Sequence, residues 1–124
     1  MSRSAGKSYN GGKWTEGRYN SFIRSALRNA WQRWPPKYNK KNLARVERGI
    51  YRCEGYNSEA HNVRAKEVQV DHIIPVVDPE KGFVSWNTFI KRLFVEEDKL
   101  QVLCKECHSR KTKEERNASK AKSI

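Results

Sequence analysis

Apolar positions change their spacing several times along this chain, and each change marks an element. In "YNSFIRSALRNAWQRWPP", Tyr19, Phe22, Ile23, Ala26, Leu27, Ala30, Trp31 and Trp34 fall at the spacing of one helical face. Asn20 or Ser21 can cap the start of this helix, and Pro35-Pro36 stops it. The stripe reads as a core face. Arg24 and Arg28, one turn apart on the polar side, serve either as phosphate contacts or as solvated charges. "KNLARVERG" predicts a short second helix with Asn42 as cap and Gly49 as stop. The period then shortens. "EVQVDHIIP" alternates Val68 and Val70 with Glu67 and Gln69, the pattern of a half-buried strand ending at Pro75. "VVDPEKGF" predicts a loop. "SWNTFIKRLF" returns to helical spacing, with Ser85 as cap and Trp86, Phe89, Ile90, Leu93 and Phe94 on one face. The acidic run Glu96-Glu97-Asp98 after it has the wrong sign for a helix C-terminus. "KLQVLC" predicts a strand, and a polar helix runs from about Cys107 to a frayed tail. The second half thus reads strand, helix, strand, helix. Residues 1–17, rich in Gly, Ser and Lys, read as a flexible arm.

A length of 124 residues suits one domain, with an arm or tail. With 36% hydrophobic and 32% charged residues, the core is modest, and a metal or disulfides often reinforce such a core. Three cysteines cannot all pair within the chain, so reduced thiols in the cytoplasm are expected. No run reaches the ~20 apolar residues of a membrane span, and "MSRSAGKSYNGGKWTEGR" lacks the apolar region of a secretory signal. The net charge of +12 is uneven: residues 1–52 hold 13 Lys and Arg against 2 acidic residues, whereas residues 53–124 hold 13 against 12. A polyanion is the natural partner of such a basic half. Lysines that merely face water, or an anionic membrane surface, are the rival readings.

The candidate chemistry centres on "LCKECHSRKT", in which Cys104-x-x-Cys107 is followed at once by His108. That pattern can attach a c-type haem, run a dithiol cycle or hold a metal. A c-type haem wants a further axial ligand and an export signal, and the only methionine is Met1. A dithiol site expects a βαβ pattern, which this chain lacks. Metal binding is left. The other histidines are His61 and His72, and His72 directly follows Asp71 at the strand end. A carboxylate beside an imidazole is a minimal kit for metal binding and general-base work. Adjacent strand residues point to opposite faces, so Asp71 and His72 share a site only if the strand bends or bulges.

"VDHIIP" followed by "LQVLCKECHSRKT" resembles the HNH nuclease motif on a ββα-metal (His-Me finger) core. With "FIRSALRNAWQRWPPK", "YRC", "GFVSWNTFIKRLF" and "KTKEE", the chain over about residues 19–116 looks like small bacteriophage HNH endonucleases. The resemblance implies an α+β fold: a flexible basic arm at 1–18, a helical DNA-binding extension at 19–52, a nuclease core at 53–118 and a disordered tail at 119–124. It implies metal-dependent hydrolysis of double-stranded DNA, by a nick or a double-strand cut. His72 would activate water, and Asp71 and His108 would hold a catalytic Mg2+ or Mn2+. In relatives two Cys-x-x-Cys pairs hold a structural zinc. Here Cys104 and Cys107 are present, but "CEGY" has Cys53 and then Tyr56 where the second cysteine would fall. His61 can supply the fourth ligand of a Cys3His zinc site. The middle Asn of the motif should precede "LQVLC", where Lys99 stands; Asn87 can substitute for it, or Lys99 can contact phosphate. Arg24, Arg28, Arg33, Lys37, Lys40, Lys41 and Lys111 are the candidate DNA grip, through phosphate contacts that position without reading sequence. A zinc-stabilised DNA-binding module with decayed catalysis is the alternative, motivated by Tyr56 and Lys99.

Overall fold

The computed structural model describes residues 6–123, with side chains through residue 118. The chain forms two units, Met1–Gln32 and Arg33–Ile124. Among the described residues there are four α-helices and two small antiparallel sheets, a mixed α+β fold. Among the described residues no helix is long and apolar enough to cross a membrane.

In the first unit, Tyr9 bridges to Trp14 across a turn in which Asn10, Gly11 and Gly12 have positive φ. Helix α1 then spans Glu16–Trp31. Its cap is Thr15, whose hydroxyl accepts from the Arg18 N–H at 3.2 Å, with Glu16 in the first turn where an acid suits the helix dipole. The helix therefore starts four to five residues before the expected Asn20 or Ser21 cap. Tyr9 stacks on Tyr19 at 4.1 Å, and the Arg18 guanidinium lies 4.8 Å over the Trp14 ring. The turn at residues 9–14 is thus ordered by aromatic contacts, where a flexible arm was expected.

The second unit begins at the two prolines. Pro35 and Pro36 open helix α2, Pro35–Leu43, because a first-turn N–H has no intrahelical partner to lose. Trp34 is its N-cap, and the indole N–H donates to the Val95 carbonyl at 2.7 Å while the ring meets Phe94 edge-on. Trp34 is therefore an anchor of α2 and no part of the α1 stripe. "KNLARVERG" is helical only over residues 41–43, the end of α2. After Leu43 it becomes strand β1, Arg45–Glu47, turning through Gly49 into β2, Ile50–Cys53, with β3, His61–Arg64, on the other side. Three β-branched residues, Val46, Ile50 and Val63, favour strand geometry here over the helical spacing.

Strand β4, Val68–His72, pairs antiparallel with β5, Leu100–Cys104, in a regular register that sets Asp71 opposite Gln101 and His72 opposite Leu100. Between them Ser85 caps α3, Trp86–Leu93, by accepting from the Thr88 N–H. The helix ends at Leu93, so Glu96–Asp98 lies at the start of a separate short turn, Glu97–Lys99, where acidic charge suits the N-terminal end. That answers the apparent sign conflict. Helix α4, Lys105–Ser123, leaves β5 directly. In β5, Val102, Leu103 and Cys104 are consecutively buried, so both faces of the strand are covered. Helices α2 and α4 both pack on the β4–β5 pair.

Candidate functional site

The first cluster forms where β2 meets the junction of β5 and α4. The ligand atoms of Cys53, His61, Cys104 and Cys107 all lie within 4.8 Å of one another. Zinc–sulfur bonds of about 2.3 Å put tetrahedral ligands about 3.8 Å apart, so a small contraction satisfies a zinc ion. Each ligand comes from a defined place: the end of β2, the first residue of β3, the last residue of β5 and the first turn of α4. The ring orientation of His61 is set by its other nitrogen, Nδ1, which lies 2.9 Å from the Glu59 carbonyl oxygen. A carbonyl only accepts, so Nδ1 carries the proton, and Nε2 presents its lone pair 3.5 Å from Cys104 Sγ. Backbone N–H groups of Gly55 and Cys104 point at Cys53 Sγ, and that of Cys107 at Cys104 Sγ. Burial pushes the Cys53 thiol up to about 11, against these N–H donors. Burial also raises Cys104, but the Cys107 N–H and the neighbouring thiols outweigh it and bring Cys104 below the ordinary thiol value. A divalent cation would supply the charge that the buried Cys53 sulfur needs as a ligand.

Tyr56 supplies no ligand atom to the cluster. It packs against the cluster, and its hydroxyl donates to Glu114 of α4, which also accepts from Asn57 at 2.9 Å. This hydrogen bond, with burial and the nearby carboxylate charges, pushes the phenol up to about 12. Glu54 braces the other side. Its backbone N–H donates to the Val102 carbonyl and its carboxylate accepts the Val102 N–H, closing the outer edge of β5.

The second cluster lies at the far end of the β4–β5 pair. His108 Nε2 is 3.4 Å from Asp71 Oδ1. Asp71 Oδ2 receives Gln101 Nε2 at 3.2 Å and Lys111 Nζ at 3.1 Å, and Lys111 also meets Glu115 at 2.6 Å. Cis ligands of an octahedral ion with bonds of 2.0–2.1 Å stand about 3 Å apart, which is comparable with this separation. The first two members of this set were legible in the sequence; Gln101 and Glu115 were missed. Gln101 becomes visible only through the strand register, and Glu115 through its i+4 spacing from Lys111.

His72 is buried, and its Nε2 lies 2.8 Å from the Leu93 carbonyl oxygen. Nε2 therefore donates, and Nδ1 is the basic nitrogen of the neutral ring. No bulge interrupts β4, so Asp71 and His72 point to opposite faces of the strand. The bend that a shared site demands is absent. The residues after His72 are held firmly: the Ile73 N–H donates to the Lys99 carbonyl, and the Arg92 guanidinium donates to the Pro75 carbonyl. The exposed side chain of Lys99 takes no part in this, and Asn87 is exposed on the first turn of α3 with no hydrogen bond to Asp71, His72 or His108 among the described residues.

The candidate grip residues fall in both units. Arg24 and Arg28 lie on α1 in the first unit, where Arg24 donates to Ser21. Arg33 precedes α2, and Lys37, Lys40 and Lys41 lie on it. Lys40 faces Glu54 at 3.9 Å, and Lys41 lies 5.5 Å over the Tyr51 ring. Burial, aided by Lys41, holds the Lys37 amine below its ordinary value. Lys111 corrects the expectation of a surface phosphate contact: it is 6% exposed and committed to two carboxylates. Comparisons with protein-family models, with curated proteins and with solved structures found no match to this chain.

Proposed function

We propose that this chain is a metal-dependent endonuclease of the HNH type that hydrolyses phosphodiester bonds of double-stranded DNA, with β4, β5 and α4 as its ββα-metal unit. The observation that carries this reading is the approach of Asp71 Oδ1 on β4 to His108 Nε2 on α4 at 3.4 Å, with α4 also supplying Cys107 to the Cys3His cluster. Asp71 and His108 would hold a divalent Mg2+ or Mn2+, which when bound supplies positive charge to the phosphate and its leaving oxygen. His72, as the Nε2–H tautomer, accepts the water proton at Nδ1. Leu93 fixes that tautomer through its carbonyl. Cys53, His61, Cys104 and Cys107 would hold a zinc that fastens the knuckle after β2 to the start of α4. The basic excess in residues 1–52 favours a polyanionic substrate.

One observation favours the second reading, a zinc-stabilised DNA-binding module with weak or lost catalysis. In the regular β4 ladder His72 faces away from Asp71, so the nuclease reading needs the end of β4 to turn when DNA binds. Supercoiled plasmid incubated with Mg2+, Mn2+ or EDTA, with wild type beside His72→Ala, separates the two. Metal-dependent conversion to open-circle or linear DNA that is lost in His72→Ala is expected. DNA binding without cleavage under either metal selects the binding module.

A further inference from the structure

We propose that Lys111 is a positioning residue that makes Asp71 a one-oxygen ligand and thereby selects a small octahedral cation over calcium. This rests on the reading of Asp71 and His108 as holders of a divalent ion.

The two carboxylate oxygens of Asp71 have different neighbours. Oδ2 accepts from Lys111 Nζ at 3.1 Å and from Gln101 Nε2 at 3.2 Å, while Oδ1 faces His108 Nε2 at 3.4 Å. Both Oδ2 donors are held in place. Gln101 stands directly across the ladder from Asp71. Lys111 lies one turn beyond His108 on α4, is 6% exposed, and is gripped by Glu115 a further turn along. A buried ammonium is costly unless carboxylates pair it, so its place between Asp71 and Glu115 is well determined. With Oδ2 occupied, Asp71 offers a cation Oδ1 alone. Calcium gathers six to eight oxygens at 2.3–2.6 Å and often takes both oxygens of a carboxylate, whereas Mg2+ and ions of its size accept single-oxygen ligands in octahedral order. The ammonium also disfavours any cation that drifts towards Oδ2.

The test is a titration of the zinc-loaded full chain with Mn2+, followed by electron paramagnetic resonance, with Ca2+ as competitor. Wild type, Lys111→Met and Lys111→Arg are compared. Wild type is expected to bind Mn2+ and to resist Ca2+. Lys111→Met should lower the preference for Mn2+ over Ca2+ by about tenfold, the scale of a lost outer-sphere partner, and Lys111→Arg should restore part of it. Mn2+ binding with an unchanged preference in Lys111→Met overturns the proposal and leaves Lys111 a structural ion pair. If Lys111→Met does not fold, Gln101→Leu removes the other Oδ2 donor; a shift in the same direction supports the proposal, and no shift overturns it. A folded wild type that binds no Mn2+ overturns the underlying reading of Asp71 and His108, a result distinct from Mn2+ bound with unchanged preference.

Discussion

Gly55 aims a ligand it does not touch. Its φ is +83°, and a Cβ there would stand 2.4 Å from the Ser58 carbonyl oxygen and 2.9 Å from that of Glu59. The Glu59 carbonyl is also the acceptor that orients His61. Gly55→Ala should therefore cost about 1–3 kcal/mol in strain and loosen the knuckle, lowering both the melting temperature and the zinc retained per chain by elemental analysis. His61→Ala should likewise lose zinc, whereas His61→Cys, which restores a fourth soft ligand, should keep it. Tyr56 offers a pH-dependent check. A phenol raised from 10.0 to about 12 binds its proton more tightly in the folded chain. The contact with Glu114 therefore stabilises fully below pH 10 and is lost as pH rises through about 12. Tyrosinate absorbance should show one late-titrating phenol, absent in Tyr56→Phe and shifted to lower pH in Glu114→Gln.

At the level of elements, strand β5 is the centre on which the others depend. Leu100, Val102 and Leu103 are 0–1% exposed, and both clusters hang from this strand, one at each end. Leu103→Ala should destabilise by about 2–5 kcal/mol, read from denaturant unfolding. Leu43→Ala, at 75% exposure on the last turn of α2, should stay within about 0.5 kcal/mol. Element identity was legible where the hydrophobic period was long or the cap explicit: α1, α3 with Ser85, β4 and β5. It failed at "KNLARVERG", where short helical spacing and strand-forming residues compete and tertiary pairing with β2 decides. It also failed at Pro35-Pro36, since proline both ends one helix and opens the next.

Over the whole molecule, the basic excess and the candidate metal ligands lie in different parts of the sequence. The basic excess lies in residues 1–52, while the Cys3His cluster ties β2 and β3 to β5 and α4 within Arg33–Ile124. A strong zinc chelator should lower the thermal stability of the chain substantially, since in so small a core metal binding and folding are one equilibrium. If Arg24 and Arg28 contact phosphate, replacing both by Ala should flatten the slope of log affinity against log salt by up to about 2. An unchanged slope identifies them as solvated charges.

The sequence by itself determined the two strands and the α3 and α4 helices around them, the basic excess of the first half, and the identity of the four groups of the Cys3His cluster and of Asp71 and His108. Those features are local: they follow from spacing, caps and residue type. Only the tertiary structure decided which groups meet. It brought His61 to the three cysteines, set Gln101 opposite Asp71, withdrew Lys111 from the surface to hold a carboxylate, and turned His72 towards Leu93 rather than Asp71. Register, the packing of α4 on the β4–β5 pair and the burial of charge depend on residues distant in sequence, and no local pattern of the chain encodes them.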